Sequence, residues 1–495
     1  MPHSPSAPSP SVIIIGTGFG GIGMAIQLKN AGLSDITLLE KADRVGGTWR
    51  DNTYPGAACD VQSHLYSYSF EPKHDWSRKF GLQAEILGYM EHCVEKYDLA
   101  RHLRLNSEVS DACFNESSNT WTVTLKNGDT LTSDILITAT GQLNQPAWPD
   151  IKGMDRFEGT IFHSARWNHD YDLTNKRVAV IGTGASAIQF VPEIASKVKS
   201  LTLFQRSAAW VLPKPDRPFT SLEQHLFKSA PLWDRAYRAF IYWKNESRAL
   251  AFTRFNRLLD LFAYQAKKEA AKQVTDPDKL KRIIPDYQIG CKRILISNDW
   301  YPAINRSNVN LVSDGVDHID EDGVVAKDGH HYPVDAIIFG TGFRATEFLS
   351  PIRITGRAGQ TLNDAWKNGA SAFKGITVSG FPNLFMLYGP NTNLAHNSII
   401  YMLESQFNYI LDAVSALKKY PGSAMDVRQD RQDRFSHVIQ EGLHNSVWEA
   451  GCSSWYLDEN GRNTVNWPGF TFTYRASTRR LDTADYQFIY PETRP

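Results

Sequence analysis

The chain has 495 residues, of which 42% are hydrophobic and 21% are charged. This is the balance of an ordinary globular protein, and the length predicts two or three domains. The 53 basic and 53 acidic residues cancel, so net charge gives no reason to expect nucleic acid or an anionic membrane surface as a partner.

Cysteine usage and the N-terminus indicate where the protein works. The five cysteines show no C-x-x-C pair and no metal-binding spacing, so we expect no metal site and a reducing cytosol rather than a disulfide framework. Residues 1–10 are rich in Ser and Pro, lack the pattern of a signal peptide and predict a disordered tail. No apolar run approaches the roughly 18 residues that cross a bilayer. We therefore expect a cytoplasmic protein without a membrane span.

The first motif in the chain is a glycine finger that follows a short apolar strand. Gly16 permits a tight turn, Gly18 lets a diphosphate approach the backbone, and Gly21 lets a helix pack closely on the strand. The helix, predicted over 22–28, would hold the phosphates at its N-terminus. Glu40 ends the next strand 24 positions after Gly16, where a carboxylate can bind ribose hydroxyls. These elements in register predict a dinucleotide-binding unit.

A second finger repeats this arrangement with one difference in charge. Strand 177–181 leads into Gly182 and Gly184, and Ala187 takes the third glycine position at the start of a helix over 187–195. The residue 24 positions after Gly182 is Arg206, which is basic. A guanidinium can bind a ribose 2′-phosphate that a carboxylate would repel. The first finger is therefore predicted to bind FAD and the second to bind NADP.

The remaining stretches divide into turns, strands and one helical region. The turn 46–49 resembles the second glycine turn of flavoproteins with two dinucleotide domains, which supports FAD in the first unit. Segments 134–141 and 335–343 each contain an apolar strand followed by Thr-Gly. Between residues 222 and 273 the spacing is helical, and we expect this insertion to bury its own aromatic core, with a possible contribution to a substrate channel. Its large side chains are Leu226, Phe227, Leu232, Trp233, Tyr237, Phe240, Tyr242 and Trp243.

The linker between the two fingers carries the pattern F-x-G-x-x-x-H-x-x-x-W, made by Phe157, Gly159, His163 and Trp167. This pattern resembles the fingerprint of Baeyer–Villiger monooxygenases, the class B flavin-dependent enzymes that turn ketones into esters or lactones. The family pattern usually continues with Pro or Asp, where this chain has Asn168. The resemblance extends over nearly the whole chain, since both fingers, the linker and the Thr-Gly strand ends occur in the expected order.

The resemblance implies an α/β fold of two Rossmann-like dinucleotide-binding domains, for FAD and NADP, with a helical insertion. It divides the chain into a first part of the FAD domain, a first part of the NADP domain, the insertion, and the second parts of both domains. Residues 346–375 would connect back to the FAD domain. The first parts of the FAD and NADP domains are expected at 1–145 and 155–215, and the insertion at 216–285. The second part of the NADP domain is expected at 286–345, and the second part of the FAD domain with the C-terminal tail at 376–495.

The resemblance also implies the activity. An FAD- and NADPH-dependent enzyme would insert one oxygen atom of O2 next to the carbonyl of a small-molecule ketone, through a peroxyflavin. Arg293, in a segment that looks like the active-site arginine stretch of the family, would be catalytic, with Asp60 as the carboxylate that positions it. Lys292 would help to hold the 2′-phosphate. Much of the family has Arg where this chain has Ala58.

The candidate site residues fall into three groups. The FAD set is Gly16, Gly18, Gly21, Glu40, Gly47, Thr48, Trp49, Asp60, Val61, Tyr66 and Asn391. The NADP set is Gly182, Gly184, Ser186, Ala187, Arg206, Ser207, Lys292 and Arg293. The third group, Phe157, Gly159, His163 and Trp167, would couple movement of the two domains to cofactor state, a role that we favour over acid–base chemistry for His163.

Three alternative functions compete with this prediction, and the first of them is the strongest. A flavin-containing monooxygenase that oxygenates nitrogen or sulfur shares both fingers, although its linker usually lacks a residue like Trp167. A flavin disulfide reductase needs a redox cysteine pair, and Cys59 and Cys93 are too far apart for that motif. A redox-sensing flavoprotein would keep the fingers and show no NADPH turnover.

Overall fold

The computed structural model describes residues 9–253, 255, 257–444, 446–452 and 454–490. Most of the predicted disordered tail, residues 1–8, lies outside the described residues. Within the described part of the chain, no helix combines the length and the apolar character needed to cross a membrane.

The first finger belongs to a five-stranded sheet in which all neighbouring strands are parallel. The four residues of its central strand are buried, as expected when helices cover both faces of a parallel sheet. In spatial order the strands are Leu384–Met386, Ile135–Thr138, Val12–Ile15, Ile36–Leu39 and Leu103–Arg104. The helices beside them are Phe19–Asn30, Thr48–Asp51, Gln83–Lys96 and Ile399–Leu417.

The second finger belongs to another five-stranded parallel sheet. The predicted strand Arg177–Ile181 and helix Ala187–Ala195 are confirmed at both ends, whereas the helix predicted over 22–28 is longer and spans Phe19–Asn30. In spatial order the strands are Val309–Val312, Ser200–Phe204, Arg177–Ile181, Ala336–Phe339 and Thr160–His163. The short helix Trp300–Ile304 packs against helix Ala187–Ala195. The predicted α/β fold with two Rossmann-like units is confirmed.

Four smaller sheets complete the β structure of the described chain. Segment 346–375, predicted only as a connection, contributes an edge strand and the helix Leu362–Ala365. The four-stranded sheet consists of Arg353–Thr355, Val109–Asn115, Thr120–Leu125 and Thr130–Ser133. The others are Val316–Ile319 with Gly323–Ala326 and His331–Pro333, Val211–Leu212 with Leu295–Ile296, and Ala424–Val427 with Tyr486–Ile489.

The insertion is helical, but its predicted aromatic core is largely wrong. Phe227 and Tyr242 are buried and Tyr237 is half-buried. The other five large side chains are exposed, namely Leu226, Leu232, Trp233, Phe240 and Trp243. The inward positions of helix Pro231–Glu246 include Asp234, Ile241 and Glu246. The helices are Ser221–Ser229, Pro231–Glu246, Ala249–Thr253, Leu258–Gln273 and Pro277–Ile283.

The C-terminal part returns to the first unit. Helices Gln429–His444 and Thr471–Ser477 precede the last strand, Tyr486–Ile489, which pairs antiparallel with Ala424–Val427. This part also bears on the cysteines, for which we expected a reducing cytosol rather than a disulfide framework. Cys291 and Cys452 form a disulfide across 161 residues of chain, while Cys59, Cys93 and Cys113 are free.

Candidate active site

Both glycine fingers open into one cleft of about 1080 Å³. Its walls include Gly16 and Gly18 from the first finger and Gly182 and Gly184 from the second. Parallel strands carry their ligands at their carboxyl ends, and each finger follows the carboxyl end of a central strand. Two dinucleotide sites therefore face a single space.

The first finger has the backbone shape that a diphosphate requires. Gly16 has a φ of 103°, a conformation that side chains rarely permit. A β-carbon on Gly18 would meet no atom within 4 Å, so its absence leaves open space. A β-carbon on Gly21 would lie 1.9 Å from the carbonyl oxygen of Gly16, so this glycine serves the packing of helix on strand. The helix beginning at Phe19 has no acidic residue in its first turn, which suits an anion.

Glu40 lies in the cleft wall and is held in a fixed orientation. The hydroxyl of Thr17 donates to Oε2 of Glu40 at 2.5 Å, and the backbone N–H of Ala42 donates to Oε1 at 3.1 Å. The Arg50 guanidinium forms an ion pair with Oε1 at 2.8 Å, and both side chains are almost fully buried. Arg50 therefore compensates the charge of the buried carboxylate and helps to fix its orientation.

The second finger repeats the geometry of the first. Gly182 has a φ of 109°, and a β-carbon on Gly184 would meet only one protein atom, the carbonyl oxygen of Gly340 at 3.8 Å. Helix Ala187–Ala195 carries no acidic residue in its first turn. The small side chain of Ala187 is fully buried and contacts Gly340, where a larger residue would separate the helix from the sheet.

Beside the second finger, two cations and a hydroxyl converge. Arg206 is exposed at the end of its strand. Lys292 donates from Nζ to the hydroxyl of Ser207 at 2.9 Å, and its Nζ lies 4.4 Å from the centre of the Tyr287 ring. Burial and the charge of Arg206 lower the pKa of Lys292. Because two like charges are close and partly desolvated, an anion between them would relieve their repulsion.

Arg293 and Asp60 form the charged centre of the cleft. Nε of Arg293 donates to Oδ2 of Asp60 at 3.1 Å, and the terminal guanidinium nitrogen Nη2 contacts the same oxygen. The charge of Asp60 raises the pKa of Arg293 despite burial. Burial alone would raise the pKa of Asp60, but the charge and hydrogen bonds of Arg293 hold it below its usual value. The pair is therefore fully ionised, and each side chain keeps about a third of its surface exposed.

The surroundings of Arg293 combine buried phenols and apolar side chains. Tyr388, at a φ of 61°, donates its hydroxyl to Oδ1 of Asn393 at 2.5 Å. Burial raises the pKa of Tyr456 to about 12, and the positive charge of Arg293 acts in the opposite direction. The neighbouring cleft wall is formed by Leu394, Ile399, Leu403 and Trp455. Such a wall can accept an apolar molecule.

The linker residues lie behind the cleft. His163 is fully buried, its Nδ1 accepts from the N–H of Ala165, and its ring packs against Trp148 and Phe343, which both line the cleft. Burial and the charge of Arg166 lower the pKa of His163 to about 4, so the ring is neutral near pH 7.

The same linker contacts the first dinucleotide unit. The hydroxyl of Thr53 lies 2.7 Å from Nε2 of His169, and the Arg166 guanidinium lies 3.8 Å from the Asp51 carboxylate. Trp167 packs between Phe162 and Phe190 of the second unit. The linker therefore contacts both units.

Most of the predicted site residues line the cleft. From the FAD set these are Gly16, Gly18, Glu40, Gly47, Thr48, Trp49, Asp60, Val61 and Tyr66, and from the NADP set Gly182, Gly184, Ser186, Arg206, Ser207, Lys292 and Arg293. Gly21, Ala187 and the four linker residues do not line it. Neither does Asn391, whose side-chain amide donates to the carbonyl oxygens of Asn463 and Asn466.

Sequence patterns missed several cleft residues. Arg50 directly follows a recognised glycine turn, but only the fold shows that it neutralises Glu40. Tyr388 follows the carboxyl end of strand Leu384–Met386, which is where parallel strands carry their ligands. Leu394 and Trp455 carry no local signal, because long-range packing brings them to the cleft.

Known proteins share this arrangement. A family model described as pyridine nucleotide-disulphide oxidoreductase matches residues 13–223. A Baeyer–Villiger monooxygenase of Pseudomonas aeruginosa is 46% identical over 477 residues, which are 96% of this chain and 90% of that protein. A Baeyer–Villiger monooxygenase of Streptomyces coelicolor is 45% identical over 482 residues, which are 97% of this chain and 93% of that protein.

Solved structures agree with these relatives. An oxidized steroid monooxygenase bound to NADP has a TM-score of 0.85 at 31% identity and covers 95% of this chain and 97% of its own. OTEMO in complex with FAD and NADP has a TM-score of 0.88 at 28% identity and covers 97% of this chain and 100% of its own. The fold and the shared cleft define an oxidoreductase with two dinucleotide-binding units. At this level of identity and coverage, the chain belongs to the Baeyer–Villiger monooxygenase family.

Proposed function

We propose that this protein is an FAD- and NADPH-dependent monooxygenase that inserts one oxygen atom of O2 next to a ketone carbonyl, giving an ester or a lactone. The observation that carries the proposal is the ionised Asp60–Arg293 pair in the cleft shared by both fingers. The family to which the chain belongs catalyses this reaction, and the cleft has a charged centre beside an apolar wall.

The first finger fits FAD. Gly18 leaves space for a diphosphate against the backbone, the helix that follows supplies unpaired N–H groups, and Glu40 presents a carboxylate for ribose hydroxyls. Thr48, Trp49, Val61 and Tyr66 extend the same wall toward Arg293. When bound, FAD supplies the activation of O2, with electrons that come from NADPH.

The second finger fits NADPH rather than NADH. Arg206, Lys292 and the hydroxyl of Ser207 offer two positive charges and a donor at one point of the cleft. A 2′-phosphate is the dianionic group that separates the two nucleotides, and paired charge-assisted hydrogen bonds would bind it.

Arg293 has two properties that suit oxygen transfer. Its charge is permanent, because the pKa of its guanidinium is raised further by Asp60. Its side chain is oriented by that carboxylate, so stabilising negative charge that develops on substrate oxygen needs little reorganisation. Leu394, Ile399 and Leu403 add apolar surface to the same cleft, and an apolar environment strengthens electrostatic interactions.

The linker is proposed to couple the two units. His163 packs behind two cleft residues, and Arg166 and His169 contact the first unit, so a shift at one cofactor site can be transmitted to the other. A His163→Ala variant that keeps FAD and reduces it at the unaltered rate would contradict this role.

The division of the chain into interleaved domains also remains a proposal. Its support is that strand Leu384–Met386 joins the sheet of the first finger, while Ala336–Phe339 joins that of the second. Chain segments far apart in sequence thus complete each sheet, as bounds of 286–345 and 376–495 require.

The decisive experiment is turnover of the FAD-loaded protein with NADPH and a panel of cyclic, linear and aromatic ketones, with products identified. A thioether and a tertiary amine are included as competing substrates. Ester or lactone that appears in proportion to NADPH consumed supports the proposal. Exclusive oxygenation of sulfur or nitrogen, or no NADPH turnover with any substrate, would refute it.

A further inference from the structure

The helix Pro231–Glu246 packs one face on the protein and turns a second, apolar face outward. The inward face buries Asp234, Ile241 and Tyr242. The outward face exposes four large side chains, with exposed fractions of 79% for Leu232, 54% for Trp233, 62% for Phe240 and 59% for Trp243. These four residues are called the outer stripe below.

The outer stripe is continuous along the helix. At 3.6 residues per turn, its four members fall within an arc of roughly 100° around the helix axis, together with Ala236. The Trp243 ring lies 6.1 Å from the ring of Phe472, which is itself exposed and belongs to helix Thr471–Ser477. The apolar surface therefore extends beyond one helix.

Exposed apolar residues concentrate in this region. The described chain has 17 exposed large hydrophobic residues, and 10 of them lie between residues 222 and 264. A soluble monomer scatters such residues singly, whereas a contiguous group marks a binding surface. The insertion is therefore the part of the described surface best suited to contact an apolar partner.

The charges around the outer stripe identify the partner. Arg235 and Lys244 flank the arc on its two sides by helical geometry, and both are exposed. Lys228 and Arg248 add two more exposed cations near the helix ends. The two acidic residues of the helix, Asp234 and Glu246, are buried on its inward face.

We infer that the outer stripe docks this protein on the surface of a lipid bilayer that contains anionic lipids. A helix with Trp, Phe and Leu on one face and flanking cations is suited to lie in the plane of the membrane interface, where apolar side chains enter the acyl boundary and cations meet headgroups. This inference goes beyond the proposed function, because lipid binding needs neither cofactor nor ketone.

A second copy of the chain is a poorer partner for the same face. In a two-fold dimer through the outer stripe, each helix would bring Arg235 and Lys244 toward the same cations of its copy. No exposed carboxylate on this helix would offset that repulsion. Anionic headgroups provide the opposite charge along the whole face.

The inward end of the same helix is tied to the cleft. Glu246 accepts hydrogen bonds from the hydroxyl of Thr471, at 2.8 Å, and from the side-chain amide of Asn397, at 2.5 Å. Asn397 lines the cleft. The docking surface and the cleft wall are therefore connected by one helix, which would hold the cleft near the membrane on which the protein docks.

The test is sedimentation of FAD-loaded full-length protein with vesicles of phosphatidylcholine alone or mixed with phosphatidylglycerol. We expect binding to the mixed vesicles and little to phosphatidylcholine alone.

A Trp233→Ser, Phe240→Ser, Trp243→Ser variant should lose at least about 100-fold in partition coefficient, since three apolar side chains no longer enter the lipid. An Arg235→Gln, Lys244→Gln variant should lose roughly 30-fold in partition coefficient, and only with anionic vesicles. A matched control, Tyr420→Ser with Val438→Ser, removes exposed apolar groups elsewhere and should bind like the parent.

FAD content and turnover of a water-soluble ketone without vesicles are measured in parallel, so failure of lipid binding and failure of the proposed function are distinguished. If the triple variant does not retain FAD, the charge variant decides the outcome. Absence of vesicle binding by the parent overturns the inference, as does equal binding by parent and variants. Self-association that the stripe variants abolish, without vesicle binding, would overturn it in favour of a dimer interface.

Discussion

Nε of Arg293 lies 3.1 Å from Oδ2 of Asp60, although 233 residues separate the two in sequence. The carboxylate comes from the first dinucleotide unit and the guanidinium from the segment that returns after the helical insertion. The pair therefore forms only when both parts of the chain are in place. It links the two units at the point where the chemistry is proposed to occur.

Replacing Arg293 with Ala should separate NADPH oxidation from ester formation. FAD should remain bound and NADPH should still be consumed, because neither process needs the guanidinium to stabilise charge on substrate oxygen. Ester formation should fall about 100- to 1000-fold, the usual effect of losing such an electrostatic group. The measurement compares ester, hydrogen peroxide and NADPH consumed. Arg293→Lys should recover little, because a flexible ammonium lacks the planar fork, and ester formation at the parent rate in Arg293→Ala would place the site elsewhere.

Replacing Arg206 with Ala should change the nucleotide preference. Loss of one charge-assisted contact to the 2′-phosphate costs about 1.5–3 kcal/mol, so KM for NADPH should rise roughly 10- to 100-fold. KM for NADH should change little, since NADH has no phosphate at that position. Steady-state kinetics with both nucleotides give the ratio, and Arg101→Ala, an exposed arginine outside the cleft, is the control. Equal use of both nucleotides by the parent protein would contradict the assignment.

Two glycines of the first finger should respond differently to alanine. A methyl group on Gly21 would lie 1.9 Å from a backbone oxygen, so Gly21→Ala should lower the free energy of unfolding by about 1–3 kcal/mol or more. Gly18→Ala meets no protein atom within 4 Å and should fold normally while binding FAD more weakly. Urea unfolding of the cofactor-free chains and FAD titration give the two quantities. Normal FAD affinity in Gly18→Ala would show that the diphosphate lies elsewhere.

The buried His163 should make stability depend on pH. Its pKa is lowered from 6.5 to about 4, so the folded chain binds fewer protons than the unfolded chain between these values. The free energy of unfolding is therefore highest above pH 6.5, where His163 is neutral in both states, and it falls as the pH falls toward 4. The decrease due to His163 is about 2 kcal/mol between pH 7 and 5. His163→Gln should remove this part of the pH dependence in urea unfolding. His437→Gln, at an exposed position, should keep it.

The two fingers show which features are encoded locally. Strand Arg177–Ile181 and helix Ala187–Ala195 were predictable at both ends because Gly182 needs a positive φ and the apolar run stops at it. The contrast between Glu40 and Arg206 was likewise visible, since both follow a strand at the same offset. Arg293 and Asp60 became candidates only through resemblance, because no local pattern joins residues so far apart.

The insertion shows what local patterns do not encode. Helical spacing predicted a buried aromatic stripe, but the periodicity of Trp233, Phe240 and Trp243 does not indicate which side of the helix faces the protein. The inward face is selected by Asp234 and Glu246, whose partners come from distant segments. The net charge of the chain did not indicate a membrane-binding surface either. It sums to zero over all residues and therefore says nothing about the local excess of cations around the outer stripe.

The Cys291–Cys452 disulfide makes two walls of the cleft into one covalent unit. Cys291 immediately precedes Lys292 and Arg293, and Cys452 lies shortly before Ser454 and Trp455, which line the cleft. The segment that carries Lys292 and Arg293 is therefore held to the segment that carries Ser454 and Trp455 while the bond is intact. The concentration of reductant in the buffer is therefore an experimental variable for this protein. Substrate preferences measured with and without reductant refer to a cleft without and with this covalent link.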